Sequence, residues 1–177
     1  FKFVMYKFPD FNCIDIDAYK FRDTFNQNGV VLVRKLIDPS LLLEINDRAK
    51  NSYLIRERQY LNRSNDDHFS QQFEFGHIPL SDLNEPNGEN ILRKILIHSK
   101  IPNLYSSIFG KQINVLSGYS LVRRQICSDK KNFEPTPFHQ DCSFLPYKSL
   151  IINSWVPLTT CGINSPGLQV IAKHLNA

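Results

Sequence analysis

The alternation of apolar and polar positions divides the chain into a helical first part and a strand-rich last part. Residues 1–13 are aromatic-rich (Phe1, Phe3, Tyr6, Phe8, Phe11), and Pro9 excludes a continuous helix there. Ile14, Ala18, Phe21 and Phe25 then recur at helical spacing behind Asp15 or Asp17 as a cap, and Asn28-Gly29 ends the pattern. Gly29 to Lys35 is β-branched and predicts a strand. Asp38-Pro39 supplies a cap followed by proline at the first helical position. The helix opened there runs towards Tyr60, with Leu42, Ile45 and Ala49 expected on its buried face. Asn90 to His98 predicts another helix, ending before Pro102, and a short helical piece from Tyr105 to Phe109 closes at Gly110.

From Ile113 the period changes to two. Ile113, Val115, Ser117, Tyr119 and Leu121 share one face, and Leu116, Gly118, Ser120 and Val122 share the other. Leu150 to Leu158 predicts a second strand, with Ile151, Asn153 and Trp155 on one face, and Leu168 to Lys173 a third. Helices followed by a run of strands imply an α+β fold, an antiparallel barrel or sandwich with helices outside it. The expected organisation is a single domain over 1–177, with helices over about 14–110 and the start of the barrel over about 111–177. No closing element follows the last strand, so the chain reads as truncated at its C-terminus.

Leu61 to Gly88 is the least regular stretch, and its length reads as a lid over a site. Asp66, Asp67, His68 and His77 lie in it without a shared periodic frame, which reads as solvated loop and not as a second metal site. His98, at a helix C-terminus, reads as a surface histidine.

Composition narrows the function without deciding it. The 177 residues are 42% hydrophobic and 21% charged, ordinary for a soluble globular protein. A net charge of +4 with scattered basic residues lacks the dense basic stripe of a nucleic-acid binder. Four cysteines (Cys13, Cys127, Cys142, Cys161) stand far apart and read as reduced thiols. No signal segment or long apolar run is present, so no membrane partner is expected and the cytoplasm is the default location. Nothing in the sequence sets an oligomeric state.

The chemistry concentrates in Thr136-Pro137-Phe138-His139-Gln140-Asp141-Cys142-Ser143-Phe144. On an extended chain His139 and Asp141 point to the same face while Gln140 points away. One imidazole nitrogen and one carboxylate oxygen on one strand make two adjacent ligands for a divalent metal, two thirds of the 2-His-1-carboxylate arrangement that holds Fe(II). His-x-Asp spacing alone is weak and is more often a solvated turn than a metal site.

Three motifs in order make the sequence resemble the phytanoyl-CoA dioxygenase family of Fe(II)- and 2-oxoglutarate-dependent oxygenases. They are Thr136-Pro137-Phe138-His139-Gln140-Asp141, then Asn153-Ser154-Trp155-Val156-Pro157-Leu158, then Pro166-Gly167-Leu168-Gln169-Val170-Ile171. Phe25 to Val33 and Leu36-Ile37-Asp38-Pro39 resemble the family's opening helix, strand and helix. The resemblance is strongest from about Gly118 to His174. It implies a double-stranded β-helix (a jelly-roll or cupin-like core) with the N-terminal helices packed outside.

It also implies iron ligands at His139 and Asp141, contacts to 2-oxoglutarate from Trp155 and Leu121, and Fe(II), 2-oxoglutarate and O2 as cofactor and cosubstrates. The implied activity is hydroxylation of a small-molecule substrate with decarboxylation of 2-oxoglutarate to succinate, with no catalytic residue beyond the metal centre. The family's second iron histidine and its 2-oxoglutarate-binding arginine lie beyond the segment that ends here at His174, which itself matches a structural histidine of the family. The family's Pro-Gly-Ser is replaced by Ile171-Ala172-Lys173. The rival expectation is a non-catalytic or truncated member of the same fold acting as a binding module. A zinc hydrolase would need further histidines on neighbouring strands, and none is placed for that.

Overall fold

The computed structural model describes residues 8–61, 77–84, 90–110, 113–124, 151–161, 167, 168 and 170. The chain divides into two compact units, with the boundary between Arg123 and Arg124. The fold of the first unit is α+β, helices with two small sheets.

Its first sheet pairs β1 (Asp10–Asn12) in parallel with β2 (Leu32–Arg34), placing Phe11 opposite Val33. The crossover between them is α1 (Ala18–Asn28). Asp17 caps α1 by accepting from the Tyr19 and Lys20 backbone amides at 2.9 and 3.1 Å, which satisfies two otherwise orphaned donors. Gly29 ends the helix in the left-handed region (φ 69°), and its amide donates to the Phe25 carbonyl at 2.7 Å. Phe21 is buried from α1 against Leu104 and Ile108, with Phe11, Phe25, Val33 and Phe109 packed around them. The Phe11 and Phe21 rings lie 5.2 Å apart, centroid to centroid. Burying one such ring contributes about 1.5–3 kcal/mol. The strand at Asp10 was not expected, and the one predicted over 29–35 shrinks to three residues.

The long helix α2 (Pro39–Leu61) starts as its sequence requires. The Asp38 carboxylate accepts from both the amide and the hydroxyl of Ser40, at 2.8 and 2.6 Å, and Pro39 supplies no amide to be satisfied. These hydrogen bonds, first that of the Ser40 hydroxyl, hold the Asp38 carboxyl below its ordinary pKa. The buried seam of α2 is Leu41, Ile45, Ala49 and Tyr53, a strict four-residue repeat. Leu42, expected on that face, is only half-buried, because the seam starts one residue earlier.

The helix predicted from Asn90 is α3 (Ile91–His98), capped by the Asn90 side chain, which accepts from the Arg93 amide at 2.9 Å. The last helix, α4 (Ile101–Phe109), begins four residues before the predicted Tyr105, because Pro102 fits its first turn instead of preceding it. Gly110 closes it at φ 60°. Part of the stretch read as one irregular lid is regular: β3 (His77–Pro79) runs into a 3-10 turn, Leu80–Leu83, which contacts α2 and α3. Residues 62–76 and 85–89, with Asp66, Asp67 and His68, lie outside the described residues.

The second sheet pairs β3 antiparallel with β4 (Leu121–Arg123). The predicted strand from Ile113 is therefore mostly not one. Ser117–Tyr119 form a 3-10 turn, and only the last three residues find a partner strand. In the second unit, residues 151–161 form no strand among the described residues. Positions 153–157 are all exposed, so the alternating face expected for Ile151, Asn153 and Trp155 is not seen. The double-stranded β-helix core is not visible in the described residues.

Candidate functional site

Leu121 is placed by the β3–β4 ribbon. The register pairs His77 with Arg123, Ile78 with Val122 and Pro79 with Leu121. The Leu80 amide extends the pairing by donating to the Ser120 carbonyl at 2.8 Å. Antiparallel pairs alternate between hydrogen-bonded and non-bonded, so Pro79, which has no amide to offer, stands in a non-bonded pair opposite Leu121. Alternation also sorts the faces. Ile78 and Val122 are buried together, at 0% and 8% exposure, while Leu121 on the opposite face is 50% exposed. The outward face of the ribbon thus carries Leu121, Pro79, Arg123 and His77.

The ribbon is anchored by the buried seam of α2. The Tyr53 hydroxyl donates to the Val122 carbonyl at 3.1 Å, in a buried setting. One helical turn on, the Arg56 guanidinium donates to the His77 carbonyl at 3.5 Å and pairs with the Asp82 carboxylate. Glu44 joins α2 to α3, bound by Lys94 through both carboxylate oxygens at 2.8 Å and by Arg48 from its own helix. Chiefly the Lys94 hydrogen bond lowers the Glu44 pKa from its ordinary value. Partial burial, and then the positive charge of Arg123 across the strands, lower that of His77, which favours the neutral imidazole.

Trp155 lies in the second unit, in the irregular 151–161 segment, and is 49% exposed. His139 and Asp141 lie outside the described residues. As a donor set they suit a hard or borderline divalent cation, a neutral imidazole nitrogen beside a carboxylate oxygen. Among the described residues, no group of three or more His, Cys, Asp or Glu is arranged to hold a metal. Leu121 presents an uncharged aliphatic side chain, half in solvent.

Two features of this neighbourhood escape the sequence patterns. Three residues, His77-Ile78-Pro79, are too few to display a period, so β3 looks like loop. Tyr53 belongs to the four-residue repeat of α2, but nothing local indicates that its hydroxyl reaches a strand 69 residues further along the chain. Among the described residues, no helix is long and apolar enough to cross a membrane.

No curated protein and no solved structure gives a significant match. The family profile described as Phytanoyl-CoA dioxygenase (PhyH) matches residues 25–174, most of the chain. That span contains β4 with Leu121, the His139-Gln140-Asp141 motif and Trp155. The chain belongs to the phytanoyl-CoA dioxygenase family.

Proposed function

We propose that this protein is an Fe(II)- and 2-oxoglutarate-dependent dioxygenase that hydroxylates a small-molecule substrate and converts 2-oxoglutarate to succinate. The observation that carries the reading is the family match across 25–174, with His139 and Asp141 inside it at ligand spacing. Its core would be the family's double-stranded β-helix, and Cys13 and Cys161, free among the described residues, fit a cytoplasmic setting.

His139 and Asp141 would hold the iron from one face of one strand. When bound, iron supplies the oxygen activation that couples cosubstrate decarboxylation to hydroxylation of a C–H bond. The chain's own part is placement. Leu121, held outward on a two-stranded ribbon with a buried inner face, would offer an apolar wall to the methylene chain of 2-oxoglutarate, and Trp155 is the other contact that family membership implies. Walls of this kind orient a flexible diacid and keep water from it. Fold alone does not choose the substrate, which is set by loops around the site.

The test is oxygen-dependent formation of succinate from 2-oxoglutarate by protein purified anaerobically and supplied with Fe(II). Activity lost in His139→Ala and in Asp141→Ala supports the reading. Full activity in His139→Ala contradicts it, and a wild type that folds but forms no succinate leaves the non-catalytic binding module in its place.

A further inference from the structure

We infer that Tyr53 is a positioning residue for the 2-oxoglutarate subsite, acting through β4 on Leu121; this rests on the cosubstrate reading above. Tyr53 is buried, at 6% exposure, and its hydroxyl donates to the carbonyl of Val122, the residue next to Leu121. Leu121 itself has little else to fix it. Its cross-strand partner is Pro79, in a pair without inter-strand hydrogen bonds, and its side chain is half in solvent.

The height and tilt of β4 therefore depend on its ladder with β3, where Ile78 and Val122 form the hydrogen-bonded pair, and on three further anchors. The Leu80 amide holds Ser120 on one side, the Val122 side chain is buried beneath, and the Tyr53 hydroxyl holds the Val122 carbonyl. Of the three, only Tyr53 reaches the strand from a helix, the 23-residue α2 with its buried seam. A strand of three residues cannot hold its own geometry. A wall displaced by a fraction of an ångström loses contact with a small ligand.

Tyr53→Phe removes the hydroxyl and keeps the ring, so the core of α2 stays filled. The probe is 2-oxoglutarate, titrated calorimetrically into the protein loaded with Mn(II), which allows binding without turnover. The variant should keep wild-type Mn(II) affinity and bind 2-oxoglutarate roughly three- to tenfold more weakly. In a Leu121→Ala background the same substitution should cost almost nothing further, because coupled residues are non-additive.

A lower melting temperature with unchanged 2-oxoglutarate affinity would mean that Tyr53 is merely structural, and would overturn the inference alone. So would an equal loss in both backgrounds. A wild type that binds Mn(II) and no 2-oxoglutarate overturns the cosubstrate reading, and the positioning role with it.

Discussion

The Nζ of Lys94 on α3 sits 2.8 Å from each carboxylate oxygen of Glu44 on α2. The two residues are 50 apart in sequence, and Arg48 binds the same carboxylate from one turn along α2. A shared, partly buried carboxylate joins two helices more firmly than an exposed pair, since its partners are already ordered.

Glu44→Gln should therefore destabilise the protein by about 1 kcal/mol at neutral pH. The sign with pH follows from the lowered Glu44 pKa. A carboxyl lowered in the folded state stabilises above its unfolded value, near 4.5, and that contribution is lost as pH falls through the folded value. Urea denaturation at pH 7 should separate wild type from variant, and at acid pH the two curves should converge.

His77 gives an opposite kind of pH test, because its interactions disfavour its own charge. Its folded pKa lies below 6.5, through burial first and Arg123 second. Stability is thus full above 6.5 and declines as pH falls from there to the folded value, since the unfolded chain binds the proton more readily. His77→Gln should flatten that decline, measured as denaturation midpoints at pH 8 and pH 5. Arg123→Gln should flatten it in part.

Neighbouring positions on the ribbon should separate stability from binding. Ile78 is fully buried, and Ile78→Ala should cost about 3 kcal/mol through the cavity it leaves. Leu121 is half exposed, and Leu121→Ala should change stability by no more than about 0.5 kcal/mol while weakening 2-oxoglutarate binding. Thermal melting and calorimetric titration on both variants would show the division. A large stability loss in Leu121→Ala would place that side chain in the core.

Most helix boundaries were legible because they are written locally, the start of α4 at Ile101 being the exception. Asp17, one of the two expected caps, and Gly29 bracket α1, and Asp38-Pro39 opens α2 as expected, while Asn90, expected as the first residue of its helix, caps α3 instead. Asp17→Ala should accordingly cost about 1 kcal/mol in chemical denaturation, with the fold retained.

What the sequence hid depends on distant partners. The alternation from Ile113 to Val122 has the period of a strand, but a strand exists only where a ladder forms, and only Leu121–Arg123 meet β3. Ser117 and Gly118 favour a turn instead. The choice of Leu41 over Leu42 for the α2 seam could not be read from a helix with apolar residues at 41, 42 and 43, since three consecutive leucines suit three faces. For the candidate site, Leu121 is seen facing outward on a defined strand and Trp155 is seen exposed, while His139 and Asp141 rest on motif and family.

If His139 and Asp141 hold an iron to which 2-oxoglutarate binds, the visible absorption of the anaerobic Fe(II) protein reports it most directly. A 2-oxo acid chelated to Fe(II) produces a charge-transfer band that neither component shows alone. Addition of 2-oxoglutarate should generate that band in the wild type, and His139→Ala and Asp141→Ala should abolish it. A band of full intensity in either variant, or no band in wild-type protein that has bound Fe(II), would contradict the account.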